Sequence, residues 1–97
     1  MDKQVKQVID ELEPFNHGIT IAIHQNENEC IATFRMPRQF DTKKIKFTGW
    51  NEDVRNRTSC RSENDLLEAY VYKVWNVSND WICIEILPYQ GRSGWFA

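Results

Sequence analysis

Cysteine is scarce in this chain of 97 residues and cannot be evenly paired: Cys30, Cys60 and Cys83 stand at wide spacings. An odd count so spread does not read as the disulfide framework that staples small secreted domains. Histidine is scarcer, with His17 and His24 alone, and no Cys or His pair has the close separation of a zinc site. None of the four glycines falls in a phosphate-binding G-x-x-x-x-G-K-[ST] or G-x-G-x-x-G pattern. Gly91-Arg92-Ser93-Gly94 matches a bare GXXG loop, but that nucleic-acid clamp joins two helices, and here the match follows a strand pattern and a proline. Long apolar runs are missing, and nothing approaches the roughly 20 residues that cross a bilayer. The N-terminal MDKQVKQVIDELEPF lacks the apolar centre and small-residue cleavage site of a secretory signal. The expected compartment is the cytoplasm, with no membrane partner. No cofactor, metal or catalytic motif is present to name a reaction, so no enzymatic activity is expected.

What is present excludes disorder. Hydrophobic residues make up 41% of the chain and aromatics 12%, with four Trp, enough for one small domain spanning residues 1–97. Val5, Val8, Ile9 and Leu12 recur at the spacing of one helix face, which predicts a helix over 2–13 stopped by Pro14. ITIAIHQ (19–25) and ECIATFRM (29–36) alternate with period two and predict a hairpin across Asn26-Glu27-Asn28. In the second run Cys30, Ala32, Phe34 and Met36 share a face. Lys44 to Thr48 predicts a third strand, with Ile45 and Phe47 inward and Lys44 and Lys46 outward. From Gly49 to Arg61 no period is visible, which predicts a long loop. Ser62 with Asp65 opens a helix as an approximate capping box, and Leu66, Leu67, Tyr70, Val71, Val74 and Val77 extend its apolar stripe. WICIEIL (81–87) predicts a last strand, ended by Pro88. The order α-β-β-β-α-β points to an α+β two-layer sandwich: a mainly antiparallel four-stranded sheet carrying two helices.

Charge is the most informative feature. The chain carries −2 overall, yet residues 35–61 hold eight basic residues against three acids, a local charge of +5. Within 43–61 the candidate partner-binding residues are Lys44, Lys46, Trp50, Arg55, Arg57 and Arg61. Lysines on an edge strand also guard against edge-to-edge association, and loop arginines can pair with the acidic helices of their own fold. A protein partner with an acidic face would use the same residues. Nucleic acid is the alternative, with cations on phosphates and Trp50 stacked on a base, but the acidic remainder would repel a long duplex.

Two further features carry weaker expectations. Cys60 lies two residues before the cap Ser62 and beside Arg61, a setting that lowers a thiol pKa and makes it the one candidate reactive cysteine. Cys30 and Cys83 read as small buried residues of strands. Trp95 and Phe96, after Gly-Arg-Ser-Gly, either fold back on the sheet or anchor a partner. The combined expectation is a small cytosolic binding protein of inhibitor, immunity or regulatory type that engages a macromolecule through residues 43–61. Its oligomeric state is open.

Overall fold

Alternating β-branched residues put Ile19–Gln25 in an extended strand, β1, and the sheet is assembled around it. The computed structural model describes residues 3–12, 18–26, 29–37 and 45–87. Their order is α1 (Val5–Asp10), β1, β2 (Glu29–Met36), β3 (Lys46–Trp50), a 3-10 turn (Arg55–Arg57), α2 (Glu63–Glu68), β4 (Val71–Ser78) and β5 (Trp81–Ile86). The architecture is mixed α+β, with a five-stranded sheet in the order β3-β2-β1-β5-β4 in place of the four strands expected. β1 is antiparallel to β2 and parallel to β5, while the β2–β3 and β4–β5 pairs are antiparallel. No helix among the described residues is long and apolar enough to cross a membrane.

The fifth strand corrects the second helix. Its predicted stripe runs to Val77, but α2 ends at Glu68, and Ala69 is already extended at φ −65, ψ 149. Tyr70, Val71, Tyr72, Val74, Trp75 and Val77 are all β-branched or aromatic, residues that fit a pleated surface better than a helix interior. Tertiary pairing decides the matter. The Asn79-Asp80 turn folds β4 back on β5, with Ser78 opposite Trp81 and Val74 opposite Ile84. The start of this segment is also held by the N-terminal residues. Val5 N–H donates to Ala69 O at 2.9 Å and Val71 N–H to Lys3 O at 2.8 Å, and Gln4 bridges Tyr70. The same contacts shorten α1, predicted from residue 2, because Lys3 and Gln4 lie extended beside Tyr70 and Val71.

One sheet face carries the core. Ile19, Ile21 and Ile23 of β1, Ala32, Phe34 and Met36 of β2, and Ile82, Ile84 and Ile86 of β5 cluster there with Val5, Ile9, Leu66 and Ala69. Ile82–Ile86 is buried on both faces, including Cys83 and Glu85, and β5 lies inside the sheet, between β1 and β4. Two bulges change which residues face inward. His24 pairs with Cys30 and Ile23 with Ala32, so Ile31 is the extra residue. Ile31 therefore joins the core, while Cys30 turns to the opposite face, reversing the two residues' expected sides. In β3, Phe34 pairs with Phe47 and Thr33 with Gly49, leaving Thr48 as the extra residue. Gly49 has φ +151, a backbone conformation that side chains disfavour. This bulge lets Phe47 and Trp50, three residues apart, both pack against the core.

Candidate functional site

The third strand runs Lys46–Trp50 where 44–48 was expected. Lys44, like Lys43, lies outside the described residues. Lys46 is exposed opposite Arg35 at the start of the strand. Trp50 ends the same strand, about 13 Å further on at the usual rise per residue. It is a half-buried strand residue, not a loop anchor: its ring meets Phe47 edge-on at 5.4 Å, and Phe47 meets Phe34 in the same way. The guanidinium of Arg55 lies over the Trp50 ring, 4.4 Å from its centroid.

The segment after Trp50 is fastened to the sheet at both ends. Asn51 N–H donates to Ile31 O at 2.8 Å and its side chain to Cys30 O at 2.9 Å, which satisfies the carbonyls freed by the β2 bulge. The Asn51 side chain also accepts from Asp53 N–H at 3.1 Å, an Asx turn that leads into the 3-10 turn. Val54 is buried. Further on, the buried side chain of Gln25 holds the chain. Thr58 Oγ1 donates to Gln25 Oε1 at 2.8 Å, while Gln25 Nε2 donates to Ser59 Oγ at 3.0 Å and Leu87 O at 3.2 Å. A segment with no sequence period thus becomes a fixed ledge. Asn51 and Gln25 set its position, and the sequence reading missed both. The Asx pattern Asn51-Glu52-Asp53 was the available signal; Gln25 offered none.

Four of the six predicted residues, Trp50, Arg55, Arg57 and Arg61, fall on this ledge, and Lys46 lies apart at the far end of β3. The ledge is partly neutralised. Arg57 pairs with Glu29 at 2.6 Å and Arg55 approaches Glu52 at 3.7 Å. Those acids come from β2 and the ledge itself, not from the helices. Arg61 and Lys46 are exposed, and neither side chain forms an ion pair with another described residue.

Cys60 does not have the environment expected of it. Its side chain is buried, and desolvation, with Asp65 nearby, pushes the thiol up from its ordinary value to about 11. The α2 N-terminus is served instead by the Ser62 hydroxyl, which accepts from Asp65 N–H at 3.1 Å, and Asp65 accepts from Arg61 N–H at 2.8 Å. On the sheet face away from the core, cross-strand register places His24 between Cys30 and Glu85. A thiol, an imidazole and a carboxylate on three neighbouring strands were not paired in the sequence. Burial raises the Cys30 thiol, whose hydrogen bond runs to Ala32 O, and the His24 ring packs edge-on against Trp75 at 5.4 Å. Among the described residues no group of three or more His, Cys, Asp or Glu is placed to hold a metal ion. Trp95, Phe96 and His17 lie outside the described residues.

Compared with known proteins, the chain matches no family model, and no curated protein and no solved structure is significantly similar to it.

Proposed function

We propose that this protein acts by binding a protein partner, without catalysis, through the ledge that carries Trp50, Arg55, Arg57 and Arg61. The observation that carries the reading is the stacking of Arg55 on Trp50 on a segment tied down by Asn51 and Gln25. Arginine and tryptophan are the side chains most often found as binding anchors, and holding them in place beforehand lowers the entropy lost on association. The ion pairs with Glu29 and Glu52 are solvent-exposed and contribute at most about 1 kcal/mol each. A partner's carboxylates can therefore replace them with little loss. Lys46 belongs to a separate part of the surface and is expected to contribute little.

Nucleic acid has less support on the same residues. Half-buried Trp50 has Arg55 over its ring, so a base would first have to displace that arginine, and the chain as a whole carries −2 where a nucleic-acid domain is expected to be basic.

The test is affinity capture of the tagged protein from a lysate of its source cell, with and without nuclease. Beside it run a variant with Arg55→Glu and Arg61→Glu and another with Lys46→Glu. The proposal expects a protein retained after nuclease treatment, lost with the arginine variant and kept with Lys46→Glu. Capture that nuclease abolishes would transfer the reading to nucleic acid. Equal capture by the wild type and the arginine variant would show that the ledge is not the site.

A further inference from the structure

Among the described residues, one face of the sheet carries no helix. α1 and α2 pack on the other face, through Val5, Ile9 and Leu66 of the core, and the ledge joins them there through Val54 and Cys60. On the face without helices the ladders set Lys46 opposite Arg35, Arg35 opposite Thr20 and Thr20 opposite Trp81, a row across β3, β2, β1 and β5. At the usual strand spacing the row runs about 14 Å from Lys46 to Trp81. Arg35 and Lys46 are like charges directly opposed, an arrangement that costs stability. Both are exposed, and neither forms an ion pair with another described residue. The Arg35 guanidinium leans along the row. It donates to Thr20 Oγ1 at 2.8 Å, and a Cβ on Gly18 would lie 2.6 Å from its Nη2, so the glycine makes room for it. Trp81 is 41% exposed, and its indole hydrogen-bonds the Cys83 thiol on the same face. Trp75, the other indole of this face, is already in contact with Lys73 and His24. Ala22 and Cys83 are small and lie buried between these larger side chains.

We propose that this row binds single-stranded nucleic acid, with phosphates on Arg35 and Lys46 and a base stacked on Trp81. An anion between the two opposed cations offsets their repulsion, and an exposed aromatic ring in reach of cations is the combination that single strands use. Flat sheet faces bearing aromatics serve in this way because unstacked bases need only a ring to lie on. A peptide needs an edge or a groove to satisfy its main chain, and the middle of a sheet face offers neither. The net charge of −2 opposes a long duplex more than a short strand. The face itself carries three cations, Arg35, Lys46 and Lys73, against one carboxylate. That carboxylate, Glu85, is buried and stands opposite Lys73. Asp80 lies beyond the row, in the turn, where its carboxylate accepts from Ser78 Oγ at 2.8 Å. The row shares no residue with the ledge, so the two surfaces can act independently.

Fluorescence anisotropy of the full chain with two labelled octanucleotides, one of uridylate and one of thymidylate, tests the proposal at about 50 and about 200 mM salt. The expected result is a dissociation constant of about 1–100 μM at the lower salt. Two phosphate contacts, each with a slope of about −0.7, predict a weakening of about sevenfold at the higher salt. Trp81→Ala should weaken binding by at least about fivefold through the loss of one stacked base. Lys46→Gln should reduce the salt effect to about threefold, the value for one remaining contact. Lys6→Gln, which removes the same charge from an exposed position of α1, should leave the affinity unchanged. Circular dichroism reports whether each variant is folded, and if Trp81→Ala is not, the exposed Lys46 decides. Binding of either strand upholds the site, and a preference between them assigns it to RNA or to DNA. No binding at about 500 μM protein, well above the range of non-specific affinities, would overturn the proposal. So would undiminished binding by folded Trp81→Ala or Lys46→Gln. Displacement by octaglutamate as effective as by unlabelled oligonucleotide would also overturn it, in favour of an acidic peptide.

Discussion

Single residues hold this molecule's irregular parts in place, and Gln25 is the clearest case. Its side chain is 1% exposed, yet both ends of the amide are satisfied, by Thr58 and Ser59 on one side and by Ser59 and Leu87 on the other. Gln25→Leu keeps the approximate size but strands the Thr58 hydroxyl and the Leu87 carbonyl. A loss of about 3 kcal/mol is expected, since each buried group left without a partner costs about 1–3 kcal/mol. Urea denaturation would measure it, and a loss under about 1 kcal/mol would mean that water replaces the amide. Cys60, two residues beyond Thr58, makes a pH prediction. The folded state holds the thiol proton more tightly than the unfolded chain, with its value raised from 9.0 to about 11. The contribution is therefore complete below about pH 9 and lost as pH rises towards 11. Wild type should lose stability relative to Cys60→Ala across that window, and parallel pH profiles would contradict the burial argument. Alkylation at neutral pH should be slower at Cys60 than for a free thiol.

At the scale of elements, the bulge in β3 decides where the aromatic residues go. Gly49 has open space around the position of a Cβ, so a Cβ added there would meet no other atom. The cost of Gly49→Val is backbone strain at φ +151, worth about 1–3 kcal/mol. Chemical denaturation should show that loss, whereas Thr48→Val, exposed one residue earlier, should cost less than the glycine change even though it removes the hydrogen bond to Thr33 O. An equal or larger loss from Thr48→Val would place the constraint in that hydrogen bond instead. How legible each element is in the sequence follows from the same physics. Ile19–Gln25 and Glu29–Met36 agree with their predicted bounds, because strict alternation next to turn residues has one structural solution. Residues 70–78 satisfy a helical stripe and a strand equally well, so their state is set by pairing with β5, which no local pattern encodes. The bulges are similar: Gly49 marks one, but nothing in ECIATFRM marks Ile31 as the extra residue. The basic character of the candidate site is legible in composition. Its partial neutralisation is not, because Glu29 and Arg57 meet only after the hairpin and the ledge have folded together.

For the molecule as a whole, the sheet order sets which parts open together. β1 lies between β2 and β5, and β4 is attached to the sheet through β5, so early and late parts of the chain meet at the centre. Hydrogen exchange should be slowest at the main-chain amides of Ile21, Ile23 and Ile84, which lie in the fully buried core, and faster in β3, a short edge strand. β4 makes the discriminating case. Among the described residues its outer main chain is covered only at its start, where Val71 N–H donates to Lys3 O, so its amides beyond Val71 should exchange faster than those of β5, which is paired on both sides. Equal protection of the two strands would show that the outer side of β4 is covered along its length.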